Sequence, residues 1–258
     1  MLSICHLSVV PVRREASDKS EQVTQLLFGE LAEILEVNGN WAAIRTLEEE
    51  YPGFVDPRQL TPLTDEQALL VQTTWNRVVA SETAKLTYPN GETRTLVAGS
   101  RLPGSNDHES GIFGPLKIDG LAVVTDRPSF QLIREHALQY LGTPYLWGGR
   151  SPFGIDCSGF TQLVYRLNGL SLPRDAWQQA SSGLLVDSLD DQQTGDLAFF
   201  KNAEGRIVHV GILLDAGRII HASGEVRIDL IDNQGILNSK SGAYSHSFDS
   251  LRRYFQAD

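Results

Sequence analysis

One short segment, residues 145–160, constrains the fold of this chain more than any other. It reads YLWGGRSPFGIDCSGF, so aromatic and glycine residues lead into an Asp-Cys-Ser-Gly step. Apolar residues then recur with the spacing of an amphipathic helix, at Phe160, Leu163, Val164 and Leu167. Cys157 is therefore predicted at a helix N-terminus, where the first amides and the helix dipole favour a thiolate, the attacking form of cysteine.

A nucleophile is one interpretation of Cys157, and a small buried structural residue is the other. The polar and glycine neighbours of Cys157 argue against burial and leave the two interpretations evenly balanced. The second cysteine, Cys5, is far away in sequence and is predicted at the edge of a strand. A disulfide scaffold is not indicated.

Charge and length narrow the classes of function. The 258 residues allow two or three domains. A net charge of −10 disfavours nucleic acids and anionic membranes as partners, although acidity that only aids solubility is the simpler explanation. No apolar run reaches the roughly 18 residues of a membrane span, and no secretory signal is visible, so we expect a cytoplasmic protein.

The first 125 residues are rich in short strand patterns. Residues 1–63 contain five of them, at 8–12, 22–27, 31–37, 41–45 and 53–56, with a tight-turn signal at 38–40. This pattern predicts a small β-barrel, and its order of residues resembles bacterial SH3-like domains. Residues 64–125 begin with a helical stretch at 66–75 and return to strand patterns at 95–98 and 121–124, which predicts a second, diverged SH3-like barrel.

Residues 126–258 have a different pattern, with helices first and strands afterwards. Ser129 is predicted to cap one helix, and the helix that begins near Cys157 follows it. Strand patterns then occur at 196–200, 208–214, 218–222 and 226–230. This order predicts an α+β domain with an antiparallel sheet.

Two histidines, His209 and His221, lie in neighbouring predicted strands joined by a hairpin at 214–218. If the strands pair about Ala216, opposite residues have numbers that add up to about 432, and both histidines point to one face of the sheet. One imidazole then serves as the base for the cysteine and the other orients it. Zinc is the rival interpretation, but the compact ligand spacings of zinc sites are absent.

With these residues assembled, the chain resembles the NlpC/P60 family of papain-like cysteine peptidases. The resemblance covers residues 126–258 and rests on segments 142–149, 156–160, 172–175, 194–200, 209–212 and 220–223. Together with the two SH3-like modules, it implies a γ-D-glutamyl-L-diamino-acid endopeptidase of the dipeptidyl-peptidase VI type, with a papain-like domain after two small β-barrels.

The resemblance also implies residue roles. Cys157 would be the nucleophile, His209 the base, His221 the residue that orients it, and Tyr145 the hydroxyl near the oxyanion. Asp156 and Ser158 would hold the substrate, as would Trp147. Helix capping by Asp156, and core packing of the two aromatic side chains, are the structural alternatives.

The implied substrate carries both signs of charge. Asp156 suits the free amine of L-Ala, and Arg174 suits the carboxylate of D-Glu. Glu15 and Tyr51 of the first SH3-like domain match residues that close the amine end of the site. For Arg174, Glu15 and Tyr51, the alternative is a position in an exposed loop without a role in substrate binding. Ala176 departs from the family, which often has a serine there.

The sequence therefore predicts a thiol peptidase that cleaves the amide between γ-D-glutamate and a diamino acid in free murein stem peptides. We expect a cytoplasmic monomer that recycles cell-wall peptides without a metal or cofactor, and without nucleic acid or membrane partners. An idle wall-binding protein that uses its SH3-like modules is the alternative, and an acyltransferase with the same Cys-His pair is a third possibility.

Overall fold

A computed structural model describes residues 1–104, 112–123, 128–215 and 217–255. The chain divides into two compact units, Met1–Thr125 and Asp126–Asp258. None of the helices within the described ranges is both long enough and apolar enough to cross a membrane.

The first unit begins with an antiparallel sheet of seven strands in the order β3-β2-β6-β5-β4-β1-β7. Its strands are β1 (Leu2–Cys5), β2 (Val9–Arg13), β3 (Gln22–Leu27), β4 (Leu31–Asn38), β5 (Trp41–Thr46), β6 (Pro52–Val55) and β7 (Leu60–Pro62). The five predicted strands are confirmed, and β1 and β7 were not predicted. The sheet encloses a small apolar core that includes Val10, Leu26 and Ile44.

The remainder of the first unit consists of one helix and two three-stranded sheets, β10-β9-β12 and β11-β8-β13. The elements are α1 (Asp65–Thr74), β8 (Arg77–Val79), β9 (Thr83–Thr87), β10 (Thr93–Val97), β11 (Arg101–Leu102), β12 (Lys117–Asp119) and β13 (Ala122–Val123). Val124, the end of a predicted strand, lies outside the described residues. Trp75 packs in one core with Ile4 of β1 and with Phe28, which follows β3. Residues 1–63 and 64–125 thus share a core, and a second SH3-like domain stays a prediction.

The described residues of the second unit form three α-helices, α2 (Phe130–Gln139), α3 (Cys157–Arg166) and α4 (Ala176–Ala180). The predicted cap of α2 is confirmed, because the Ser129 hydroxyl accepts a hydrogen bond of 3.1 Å from the Leu132 amide. Nine of the ten residues of α3 are buried, so this helix forms the centre of the helical layer.

Antiparallel strands of the second unit close into a barrel. The strands are β14 (Arg150–Ser151), β15 (Gly154–Ile155), β16 (Leu184–Val186), β17 (Leu197–Lys201), β18 (Ile207–Leu213), β19 (Arg218–Ser223), β20 (Glu225–Asp232), β21 (Gly235–Leu237) and β22 (Tyr244–Arg253). β14 pairs only with β15, whereas the other strands form one sheet in the order β16-β22-β17-β18-β19-β20-β21. β21 also pairs with β22, which closes a ring of six strands around Phe200, Leu213 and Ile236.

The register of β18 and β19 decides which side chains meet at the site. Ile212 pairs with Ile220 and Leu213 with Ile219, as the predicted hairpin requires. The predicted pivot, Ala216, lies outside the described residues. α3 packs against β18 and β19, so the start of the helix lies over this part of the barrel.

Barrel closure depends on Gly235 in β21. A Cβ at this position would lie 1.8 Å from the carbonyl oxygen of His246 in β22, and the residue has a φ of +143°. Only glycine fits this conformation and this close approach. Gly235 therefore lets β22, which the sequence did not predict, bring His246 to the barrel wall.

Candidate active site

The nucleophile candidate Cys157 is the first residue of α3, as predicted. Asp156 caps the helix: its carboxylate accepts hydrogen bonds from the amides of Gly159 at 2.7 Å and Gly148 at 2.9 Å. Cys157 is 6% exposed, at the point where α3 packs on β18. The capping role that was the alternative for Asp156 is therefore present, and it fixes the chain on both sides of the cysteine.

A buried chain of hydrogen bonds runs from His209 through His221 to a carboxylate that the sequence did not single out. Nε2 of His209 lies 2.8 Å from Nδ1 of His221, and Nε2 of His221 lies 3.1 Å from Oδ2 of Asp229. All three side chains are at most 5% exposed. The predicted same-face pairing of the two histidines is confirmed.

A third histidine, His246, contacts this pair. Its ring stacks on the ring of His209 with centroids 4.0 Å apart and an angle of 22°. The sequence assigned His246 no role, because it belongs to no motif and its strand was not predicted.

The three histidines offer ring nitrogens that lie within 4.8 Å of one another. The lone pair of a ring nitrogen lies in the plane of its ring, and the planes of His209 and His246 are nearly parallel, whereas the nitrogen ligands of one metal ion must converge on it. The orientation of His209 and His246 therefore does not suit a shared metal ion, and the metal-free site stays a prediction.

Burial favours the neutral forms of the two reactive groups. It raises the pKa of Cys157 to about 12, helped by the charge of Asp156 and opposed by the Val210 amide, Arg174 and the Ser158 amide. Burial also holds the pKa of His209 well below its usual range, with further lowering by His246 and His221. Desolvation raises the pKa of the thiol more than the neighbouring amides and Arg174 lower it, which favours a thiol that gives up its proton as it attacks; the thiolate expected from the sequence stays a prediction.

A second buried cluster supports the start of α3. Arg174 donates hydrogen bonds to the Asp156 carboxylate at 2.5 and 3.1 Å and to the Ser158 hydroxyl at 2.8 Å. Arg174 is only 2% exposed. The geometry therefore favours a supporting role for Arg174 over the direct contact with a substrate carboxylate that we expected, because its guanidinium is occupied and shielded.

The aromatic residues before the cysteine differ in exposure. Tyr145 is half-buried, and its pKa is raised by burial and by the nearby Cys157 and Asp156, opposed by Arg174. Its hydroxyl stays protonated and can donate a hydrogen bond near the nucleophile. Trp147 is 57% exposed, which contradicts its alternative role in core packing.

The remaining predicted residues lie elsewhere. Glu15 is exposed and Tyr51 half-buried in the first unit, and their roles in substrate binding stay predictions. Ala176 is the first residue of α4 and is buried, so this position supplies no hydroxyl to a substrate.

A cysteine at the start of a buried helix that packs on the barrel strands of a hydrogen-bonded histidine pair is the arrangement of a papain-like cysteine peptidase. Comparison with known proteins makes this class specific. The profile described as "NlpC/P60 family" matches residues 142–243, and that described as "Bacterial dipeptidyl-peptidase Sh3 domain" matches residues 12–60. This chain belongs to the NlpC/P60 family, and it is a cysteine peptidase.

Two relatives match over most of their length. The γ-D-glutamyl-L-lysine dipeptidyl-peptidase of Bacillus subtilis is 33% identical over 217 residues, which are 77% of this chain and 71% of the relative. The protein of the same name from Bacillus cereus is 28% identical over 85% of this chain and 74% of its own length. The crystal structure of an NlpC/P60 family protein from Bacillus cereus has the same fold, with a TM-score of 0.81 and 24% identity over 98% of this chain and 99% of that one.

Proposed function

We propose that this peptidase hydrolyses the amide between γ-D-glutamate and the following diamino acid in free peptidoglycan stem peptides, for recycling in the cytoplasm. The observation that carries the proposal is the joint match of both parts of the chain to named γ-D-glutamyl-L-lysine dipeptidyl-peptidases, one of them 33% identical. The proposal is supported by the hydrogen-bonded pair of His209 and His221 and by the packing of the Cys157 helix on β18, the strand of His209, since a cysteine nucleophile requires a nearby base.

The proposed reaction begins with neutral partners. Sγ of Cys157 attacks the γ-carbonyl carbon while Nδ1 of His209 takes the thiol proton, so an S–C bond forms as the imidazole becomes charged. The tetrahedral oxyanion accepts a hydrogen bond from the protonated hydroxyl of Tyr145. His209 then gives its proton to the diamino-acid nitrogen as the C–N bond breaks.

The second half of the reaction removes the thioester. Neutral His209 takes a proton from water as the water oxygen attacks the thioester carbonyl, and the S–C bond breaks. The thiolate of Cys157 recovers the proton from His209, and L-Ala-γ-D-Glu leaves. No other reactant is consumed.

The proposed preference for free peptides rests on Asp156 at the start of α3, whose carboxylate also pairs with Arg174. Asp156 is 5% exposed beside Cys157, and the ammonium group of L-Ala is the part of the substrate that a carboxylate would favour. Glu15 and Tyr51 of the first unit are proposed to complete the amine end of the site. Acetylation of the amine removes the charge that these residues would recognise.

The test compares L-Ala-γ-D-Glu-L-Lys, its meso-diaminopimelate analogue and their N-acetylated forms. We expect cleavage of both free tripeptides after D-Glu, and a kcat/KM at least roughly 30-fold lower for the acetylated forms, because the ammonium charge that the amine end of the site would recognise is gone. Intact peptidoglycan should release no dipeptide. Equal cleavage of free and acetylated peptides overturns the free-peptide proposal.

The matched cysteine variants test the nucleophile. Cys157→Ala should abolish turnover without loss of fold, whereas Cys5→Ala should leave turnover unchanged, since Cys5 is a buried residue of β1 whose thiol donates to the Leu7 carbonyl. Residual cleavage by Cys157→Ala at the wild-type rate would exclude the proposed mechanism. Cell fractionation tests the cytoplasmic location separately.

A further inference from the structure

We propose that Asp229 is a positioning residue of the catalytic centre, whose carboxylate fixes the protons of both histidines so that His209 presents a lone pair to Cys157. The inference depends on the Cys-His chemistry of the peptidase and not on which peptide it cleaves. The hydrogen bonds connect His209 to His221 and His221 to Asp229, so the whole ring of His221 separates the carboxylate from His209.

The donor and acceptor roles in these two hydrogen bonds follow from Asp229, the acceptor at the end of the series. An ionised carboxylate can only accept, so Nε2 of His221 must carry a proton and donate to Asp229. An imidazole of His221 with its single proton on Nε2 has a bare Nδ1, which accepts from Nε2–H of His209. The remaining nitrogen of His209, Nδ1, is left without a proton and can take one from a thiol.

The surroundings of Asp229 hold the carboxylate ionised and in place. Its Oδ1 accepts from Nη2 of Arg227 at 2.9 Å and from the Ser239 amide at 2.8 Å, and Nε of Arg227 lies 2.8 Å from Oδ2. Burial by itself raises the pKa of Asp229, but the hydrogen bonds from His221, Arg227 and Ser239 outweigh it and hold the pKa well below its usual range. These contacts therefore favour the ionised carboxylate, which can only accept hydrogen bonds.

The register of the barrel explains why Asp229 reaches His221. Arg227 is the direct partner of His221 across β19 and β20, and Asp229 follows two residues later, opposite Ile219. Residues two apart in a strand share a face, so both Arg227 and Asp229 project on the side of His221. The register therefore brings the Asp229 carboxylate into contact with the His221 imidazole, and the Arg227 guanidinium into contact with the Asp229 carboxylate.

A purely structural ion pair between Arg227 and Asp229 is the competing explanation, and the state of the histidines separates the two. Long-range ¹⁵N–¹H correlation of the wild-type protein reports which nitrogen of each ring is protonated. We expect the Nε2–H form at both His209 and His221. An Nδ1–H form at either residue overturns the inference, and this measurement involves no variant that might unfold.

The decisive variant is Asp229→Asn. Its amide can donate to Nε2 of His221, which reverses both hydrogen bonds and places a proton on Nδ1 of His209, facing the thiol. The corresponding change in a serine protease triad lowers kcat by about 10⁴. Because the His221 ring lies between Asp229 and the base His209, we expect kcat of Asp229→Asn to fall by a smaller factor, roughly 10²–10³, with KM nearly unchanged. Asp229→Glu should recover part of the lost kcat.

Alkylation of Cys157 by iodoacetamide at pH 6–8 provides a readout that requires no peptide. It should slow in Asp229→Asn by a similar factor, and Asp232→Asn, an exposed aspartate of the same strand, should behave as wild type. If Asp229→Asn melts at a lower temperature but alkylates and turns over at wild-type rates per folded molecule, Asp229 is only structural. Failure of the proposed peptide specificity would leave the alkylation result intact.

Discussion

The rings of His209 and His221 meet at nearly a right angle, 84°, with Nε2 of the first 2.8 Å from Nδ1 of the second. This orientation directs one ring nitrogen of each histidine at the other. Both rings are buried, so neither can exchange its partner for water. The two histidines therefore act as a unit, and a change in one alters the proton position on the other.

Replacement of His221 tests this unit. His221→Gln keeps a polar group that can accept from Nε2 of His209, and we expect kcat to fall about 10- to 100-fold, the usual cost of disturbing such a supporting partner. His221→Ala leaves the buried nitrogen without an acceptor and should cost roughly 10²–10⁴. Steady-state kinetics on the free tripeptide measure both. Equal losses for Gln and Ala would show that the ring only fills space.

Gly211 provides a test in which neither histidine is substituted. A Cβ at this position in β18 would lie 2.8 Å from Cβ of His221 and 2.7 Å from Cδ1 of Ile219. Gly211→Ala should displace the His221 ring, and a misplacement of about 1 Å can cost roughly 100-fold in rate.

The matched control is Gly205→Ala. Gly205 has a φ of +77° and nothing within 4 Å of its added Cβ, so the change strains an exposed turn without touching the site. We expect it to lower the melting temperature while kcat stays at the wild-type value. If Gly211→Ala retains full kcat, the close packing beneath His221 is not needed for catalysis.

The core of the site was predictable because its signals are local. The cap at Asp156 and the periodicity after Cys157 set the helix start, and the hairpin register between β18 and β19 placed both histidines on one face. Each of these relationships spans few residues, so the sequence pattern alone determines it.

The missing parts depend on contacts between distant residues. His246 lies on β22, which pairs with β17 on one side and with β21 on the other, and the fit of Gly235 against β22 has no sequence signature. Asp229 was within a predicted strand, but its role follows from a diagonal contact with His221 that alternation does not reveal. The core shared by residues 1–63 and 64–125 was not predicted, because the spacing of strand patterns predicts where strands lie but not which side chains pack between them.

His246 should make the catalytic unit sensitive to acid. Burial and the neighbouring His221, opposed by Asp229, lower the pKa of His246 in the folded protein to about 4 from the usual 6.5. Between these values the unfolded chain binds more protons than the folded one, so stability falls as pH drops through this window. His246→Phe keeps the ring stack and removes the proton uptake. Its melting temperature should fall less than that of wild type between pH 7 and pH 4.5.

His246→Gln, which removes both the stack and the titration, separates the two effects. It should melt lower than His246→Phe at pH 7, because the contact with His209 is lost, but should share its smaller dependence on pH. An equal fall in melting temperature for all three proteins would mean that His246 does not contribute to the acid sensitivity.

The buried pair of Asp156 and Arg174 should dominate the stability of the helix start. Arg174→Met leaves the Asp156 charge buried beside Cys157 without its cation, and breaking such a pair costs about 3–5 kcal/mol. Urea unfolding of the full chain should show a lower midpoint for the transition that includes the second unit. Lys240→Ala breaks an exposed pair with Glu225 in the same unit and should leave that midpoint unchanged.

A combined Asp156→Asn and Arg174→Met variant should recover part of the loss, since no buried charge remains. If Arg174→Met unfolds at the wild-type midpoint but has a raised KM for the free tripeptide, Arg174 binds substrate directly, as first expected from the sequence.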